Sequence, residues 1–333
     1  VSVAIVDTGI DYTHSKLGGG GFPNSKVIGG YDFGDSDINP MDCQGHGTSV
    51  AGIAAGTLSS GPGDYVGGVA HNSKLYALKI VTGCSIYASF STIAAAWDWA
   101  VSHKNDDPNN PILVINTSFG GDMYTSACDS LQVALATAAN NAVANGITLF
   151  SASGNNGYTN AINAPACVSN SLSVGAVYDA NIGGWIFPDV PCTDSSTDAD
   201  QVTCYSNSAN FLDILAPSHF AYTTAVGGGY TSTAPGFGGT SAASPYAAGA
   251  AAILQSYAKT TTGFYYTPTD VKSRLVNSGD PITDSKNGIT KPRVNLGNAI
   301  GGSNTFTIYN QGSGTLTITN MQHVSFAFKA IIT

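Results

Sequence analysis

The chain has 333 residues, 43% hydrophobic and 10% charged: enough apolar material for a substantial core, and too little charge for a disordered tail. Its 12 basic and 21 acidic residues leave a formal charge of −9, so no basic stripe exists to neutralise phosphates, and nucleic acid and anionic membranes are not expected partners. No apolar run approaches the roughly 18 residues of a membrane-spanning helix, and the 40 glycines follow no collagen-like three-residue period.

In chain order, residues 1–6 are almost continuously apolar, which predicts a parallel strand buried on both faces. Small residues over 48–55 predict a closely packed helix. A strand is expected over 74–81 and a helix over 90–103, then a strand over 112–116 and a helix over 129–145 stopped by Gly146. Strands over 147–152 and 172–177 follow. Residues 242–257 predict a small-residue helix, and Thr267-Pro268 opens another with a cap and a proline in the first turn. Repeated strand–helix–strand units predict an α/β architecture, a mostly parallel central sheet flanked by helices in three layers. In such a sheet, ligand chemistry sits at the carboxyl ends of the strands.

Two stretches depart from this pattern. Residues 183–204, rich in Asp, Ser, Thr and Pro between two cysteines, are read as a stapled surface loop. From 301 to 333 the text alternates polar and apolar, as in a short C-terminal β segment: a hairpin on the main domain or the opening strands of an appended β domain. Residues 1–300 form the main domain. The six cysteines lack a C-x-x-C spacing, which weakens a zinc reading, and the composition suits a secreted, disulfide-bearing protein. The chain begins abruptly inside a core strand without a signal peptide, as expected of a processed product or a fragment.

Three motifs carry the chemistry. Asp7-Thr8-Gly9 ends the first strand; alone, an Asp there is an ordinary turn cap. His46, in Gly45-His46-Gly47-Thr48, precedes a small-residue helix; alone it is as often structural. Ser241, in Gly239-Thr240-Ser241-Ala242-Ala243-Ser244-Pro245, starts another helix, where a hydroxyl is ordinarily an N-cap. Together they place an acid, an imidazole and a hydroxyl at strand-to-helix junctions along one sheet edge. Serine becomes a nucleophile when an imidazole takes its proton, and the imidazole needs a carboxylate on its other nitrogen.

VAIVDTGID, GHGTSVAGIAAG, SASGNNG and GTSAASPYAAG, in that order over about residues 1–300, resemble the subtilisin-like serine proteases. The resemblance implies a subtilisin-like sandwich and a secreted serine endopeptidase acting on proteins and peptides, of a family whose members usually have an inhibitory propeptide; a monomer is expected. It implies that Asp7 orients His46, that His46 is general base and then general acid, that Ser241 attacks the scissile carbonyl, and that Asn155 is the oxyanion donor alongside the Ser241 N–H. Ser118, Phe119, Gly120 and Gly121 match the segment that pairs with an extended substrate. Ala152, Ser153, Gly154, Asn163 and Ala164 match walls of the pocket for the residue before the cut. Neither wall carries an acid, and Asn156 and Asn163 are neutral, so apolar or broad specificity is expected.

Departures from the family pattern matter too. Ala242 follows the nucleophile where relatives commonly carry an oxidisable Met, so resistance to mild peroxide is expected. Ser49 and Tyr246 stand where relatives often have His. Lys16 occupies a calcium-ligating position, and an ammonium cannot bind Ca²⁺; the usual family site is expected to be lost, and no cofactor is needed for the chemistry. Asp35, Asp37 and Asp42, and Asp194, Asp198 and Asp200, are candidate calcium clusters or solvated acidic loops. From neighbourhood in the resembled fold, the expected disulfides are Cys43–Cys84, Cys128–Cys167 and Cys192–Cys204. Competing readings are a binding module that keeps the fold without turnover and a sedolisin-like peptidase, which would carry Glu and Asp where His46 and Asn155 stand. A nucleotide-binding enzyme is weaker still, since no strand is followed by G-x-G-x-x-G or a P-loop.

Overall fold

A computed structural model describes residues 1–59, 65–187, 190, 192–231 and 236–301. The predicted segment from 301 onward, apart from residue 301 itself, lies outside the described residues. The strands are β1 (Ser2–Asp7), β2 (Val27–Asp32), β3 (Lys74–Lys79), β4 (Ile112–Thr117), β5 (Gly121–Tyr124), β6 (Thr148–Ala152), β7 (Ile162–Ala164), β8 (Ser171–Val177), β9 (Trp185–Phe187), β10 (Cys192–Asp194), β11 (Ile214–Pro217), β12 (Asp280–Thr283) and β13 (Thr290–Arg293). The helices are α1 (His46–Ala55), α2 (Phe90–Ser102), α3 (Val133–Ala144), α4 (Thr240–Thr262), α5 (Pro268–Ser278) and α6 (Leu296–Ala299).

Nine strands form one sheet in the order β12-β13-β11-β8-β6-β4-β1-β3-β2, parallel except for the antiparallel pair β12–β13. Two two-stranded ribbons, β5–β7 and β9–β10, lie outside it. The register of β1 explains its unbroken apolar text. Ala4 and Val6 face one core with Trp97 and Leu135 of α2 and α3; Val3 and Ile5 face the other with Val50 of α1 and Leu254 of α4. A strand buried on both faces has no polar face to alternate with. From β1 the chain builds outward through β2 and β3 on one side, then crosses to β4 on the other. The crevice at this switch point opens at the carboxyl ends of β1 and β4, where Asp7 and Thr117 stand.

Small residues in α1 and α4 let the two helices approach closely. A Cβ on Gly249 would come within 2.8 Å of the Ala54 carbonyl and 2.7 Å of Val69 Cβ, so glycine is required there. The three disulfides join the expected partners, Cys43–Cys84, Cys128–Cys167 and Cys192–Cys204, with Cα separations of 5.3, 5.4 and 5.9 Å. They close loops of 41, 39 and 12 residues, each contributing about 2–4 kcal/mol in the chain-entropy picture.

Several boundaries differ from the expected ones for identifiable reasons. Helix α1 starts two residues early, at His46, because the Asp42 carboxylate accepts from the Gln44, Gly45 and Thr48 amides and from the Thr48 hydroxyl, pinning the turn. Helix α3 starts late, at Val133. Cys128 is held by its disulfide, its carbonyl takes the Leu131 and Gln132 amides, and Asp129 is engaged with Ser169. Helix α4 runs on to Thr262, the hydroxyls of Thr260, Thr261 and Thr262 satisfied by carbonyls one turn back, and ends where Gly263 takes a left-handed φ of 82°. The stretch read as a plain loop over 183–204 contains the β9–β10 ribbon.

Candidate active site

Asp7, the last residue of β1, is fully buried. Its Oδ1 accepts from the Thr8 amide at 2.8 Å and lies 2.7 Å from His46 Nδ1, while its Oδ2 has no partner among the described residues. His46 opens α1, which is seated against β1 by a bond from the Gly47 amide to the Thr8 hydroxyl. A Cβ on Gly47 would lie 2.2 Å from the Gly9 carbonyl, so only glycine permits this approach. Because Nδ1–H points at a carboxylate, Nε2 carries the lone pair. Burial alone would push the imidazole pKa down; the charge of Asp7 and its hydrogen bond override this and hold it above the ordinary value. The imidazole side chain remains 25% exposed, and Phe119 and Phe237 pack edge-on against it.

Ser241 is in the first turn of α4, not at its cap, which is Gly239. First-turn amides have no acceptor within a helix, so the Ser241 N–H is available to a ligand. The Ser241 hydroxyl donates to the Ser118 carbonyl at 3.3 Å, and the Ser118 hydroxyl donates back to the Ser241 carbonyl at 2.9 Å. Ser118 is itself held by the Asn116 amide, and Asn116 accepts from Ser244 on the next turn of α4. Asn155 Oδ1 accepts from both the Thr240 amide, at 2.8 Å, and the Thr240 hydroxyl, at 2.9 Å. That pairing fixes which end of the side-chain amide is oxygen and makes Nδ2 the donor end of a side chain that lines the cleft.

Asp7 stands behind His46, and one cleft of about 470 Å³ brings together His46, Asn155 and Ser241. Ser118, Phe119, Gly120, Gly121, Ala152, Gly154 and Asn163 also line it. Ser153 and Ala164 do not: the Ser153 hydroxyl turns inward to the Asn207 carbonyl, and Ala164 pairs with Gly121 across the β5–β7 ribbon. The sequence reading missed Thr8, Gln44, Ile86, Asp122, Met123, Tyr158 and Thr240 among the lining residues. Thr240 lay inside a quoted motif, whereas loop positions such as Ile86 and Tyr158 follow no periodicity. Asp122, outside the two walls named from the sequence, adds an exposed carboxyl to the cleft one residue past Gly121.

In the two acidic clusters the carboxylates each take their own partners, and Asp35, Asp37 and Asp198 stay exposed, in keeping with solvated loops. Asp42 caps α1, Asp35 takes the Gly83 amide and the Lys79 ammonium, and Asp37 caps the Asn39 amide. Asp194 accepts from Tyr178 and the Cys204 amide, Asp198 from Asn181, and Asp200 pairs with Arg293. Among the described residues no group of three or more His, Cys, Asp or Glu could hold a metal ion. Lys16 lies in a short 3₁₀ turn, Ser15–Leu17.

A family model described as the subtilase family matches residues 1–302. The chain belongs to the subtilase family. It is 34% identical over 291 residues to subtilisin of Bacillus pumilus, a match covering 86% of each chain. It is 31% identical over 298 residues to the thermophilic serine proteinase of Bacillus sp. (strain AK1), covering 90% of this chain and spanning 61% of that relative's length. Among solved structures, the subtilase is similar to a cold-adapted subtilisin-like serine proteinase, with 27% identity, a TM-score of 0.65, and coverage of 88% of this chain and 87% of that one. Subtilases are serine peptidases whose chemistry needs no cofactor.

Proposed function

We propose that this subtilase is a secreted serine endopeptidase in which Asp7, His46 and Ser241 form an acyl-transfer triad. One observation carries the reading. A buried carboxylate holds His46 through Nδ1 at 2.7 Å, and the other side of the ring shares a cleft with Ser241 and the Asn155 amide. On this reading, substrate binding draws the Ser241 hydroxyl from the Ser118 carbonyl to His46 Nε2. As Oγ bonds the scissile carbon, its proton passes to Nε2 and the carbonyl oxygen becomes an oxyanion facing Asn155 Nδ2 and the Ser241 N–H. Collapse expels the amine, which takes the Nε2 proton, and leaves an acyl-enzyme. Water then repeats the sequence with its own proton and releases the acid. Residues 118–120 run along the cleft from β4 to β5 and offer main chain to an extended substrate. The three disulfides support an extracellular setting, where thiols stay oxidised.

A fluorophosphonate probe is expected to label Ser241 and to abolish hydrolysis of denatured casein in proportion. Casein cleavage that survives full labelling would overturn the assignment, and a chain that neither labels nor cleaves would be a binding module.

Before the cut, apolar or broad preference is expected, because Ala152, Gly154 and the neutral Asn156 and Asn163 form the pocket beside Asn155. The measurement is kcat/KM over a peptide library varied at that position. A sharp arginine preference, lost in Asp122→Asn, would show that the exposed carboxyl sets specificity.

Peroxide gives a further prediction. Ala242 is fully buried and has no sulfur, while Met123 on β5 lines the cleft at 55% exposure. Sulfoxide formation at Met123 makes an apolar contact polar. Mild peroxide is therefore expected to leave kcat within about twofold and to act on KM for substrates reaching Met123; a collapse of kcat would contradict this.

A further inference from the structure

Asn207 belongs to none of the sequence motifs, yet its fully buried side chain bonds to both sides of Asn155. Its Oδ1 accepts from the Asn156 amide at 2.9 Å and the Tyr158 amide at 3.1 Å, and its Nδ2 donates to the Ser153 carbonyl at 3.0 Å. Its main chain adds two further ties: the Asn207 amide donates to the Gly154 carbonyl, and its carbonyl accepts from the Ser153 hydroxyl. The same Nδ2 reaches Asn163 Oδ1 at 2.5 Å, while Asn163 Nδ2 is held by the Asp122 carbonyl at 2.7 Å. Residue 154 must be glycine for this arrangement to close. At its φ of 104° a Cβ would lie within 2.3 Å of Asn207 Nδ2.

We infer that Asn207 is a positioning residue that sets the oxyanion donor and the pocket wall as one unit. The inference rests on the reading of Asn155 as that donor. Among the described residues the Asn155 side chain is held by Thr240, whose hydroxyl also takes the Gly154 amide; the place of the Asn155 main chain is decided by the loop, and Asn207 is the side chain that bonds this loop on both flanks, at Ser153 before and at Asn156 and Tyr158 after. An oxyanion donor acts only when preorganised at the developing charge, so looseness in the loop is felt at the transition state more than in ground-state binding. Because Asn207 also fixes Asn163, its loss blurs selection at the residue before the cut.

The test is a double-mutant cycle on a peptide amide substrate, with thermal stability measured alongside. Asn207→Ala is expected to lower kcat about 10–10²-fold, as misplacement of catalytic geometry by about an ångström does, with a smaller change in KM. In an Asn155→Ala background the same change should cost under about twofold, because the group it positions is gone. Asn207→Ser puts a shorter polar group in the site and carries the same expectations where the alanine variant does not fold. Losses that multiply in the double variant, or a lowered melting temperature with kcat intact, would overturn the inference while leaving the triad standing. If Asn155→Ala alone leaves kcat unchanged, the oxyanion reading itself fails.

Discussion

Ser241→Ala is expected to reduce kcat by about 10⁶-fold, a magnitude taken from the corresponding deletion in subtilisin. The physical reason lies in how the site divides its work. On the proposed reading, His46, held on its Asp7 side, offers only Nε2 as a base, and the Ser241 hydroxyl in the same cleft forms the acyl bond. Without that hydroxyl the base has no proton to take, and only the oxyanion donors and substrate binding remain. They leave about 10³–10⁴-fold over water. The loss is therefore not additive: His46→Ala introduced into Ser241→Ala should cost almost nothing more. KM should change little, because the hydroxyl rests on the Ser118 carbonyl and the cleft walls are untouched. Single-turnover and steady-state hydrolysis of a peptide amide, with fluorophosphonate labelling as control, measure this. A double variant far slower than either single one would mean that His46 has a role independent of Ser241.

The parts of the site legible in the sequence are those where one local rule is obeyed. An apolar strand ending in Asp7, a glycine-flanked His46 and a hydroxyl entering a small-residue helix each mark a strand-to-helix junction, and a parallel sheet gathers such junctions at one edge. The parts that stayed hidden depend on partners distant in sequence. Asn207 reads as one polar residue in a polar run, and nothing local shows that it spans from Ser153 to Tyr158. The resting bond from Ser241 to Ser118 joins positions 123 apart. The sheet's outer strands were missed for other reasons. In β2, Gly29 and Gly30 interrupt the apolar text; β12, at the sheet edge, and β13 beside it are four-residue strands carrying Pro281 and Pro292. The acidic runs left two readings open in the sequence because the partners of their carboxylates lie elsewhere in the chain or in the next turn: Asp42 serves a helix start and Asp35 takes Lys79.

Asp7→Asn is the second large effect, about 10⁴-fold in kcat/KM at neutral pH, and it carries a signature in the pH profile. In the native site, Oδ1 takes both the Thr8 amide and the His46 Nδ1 proton. An asparagine can respond in two ways. If its oxygen stays in that place, the imidazole keeps its tautomer but loses the negative charge that stabilises imidazolium in the transition state, and a buried NH₂ takes the unpartnered Oδ2 position. If the amide flips, its NH₂ faces the Thr8 N–H, and Nδ1 must accept, which puts the proton on Nε2 and removes the base. Both routes lower the rate. The pH dependence follows from the balance at His46, where burial pushes the pKa down and Asp7 raises it above its ordinary value of about 6.5. Hydrolysis needs neutral His46, so native kcat/KM falls as pH drops through that raised value. With the carboxylate gone, burial is opposed only by the smaller pull of Asp42, the imidazole sheds its proton more readily, and the acid limb moves to lower pH even as the plateau drops. Profiles of kcat/KM from about pH 4 to 10 for both proteins check the sign. An acid limb that stays in place, or moves upward, would mean that Asp7 does not set the charge on His46.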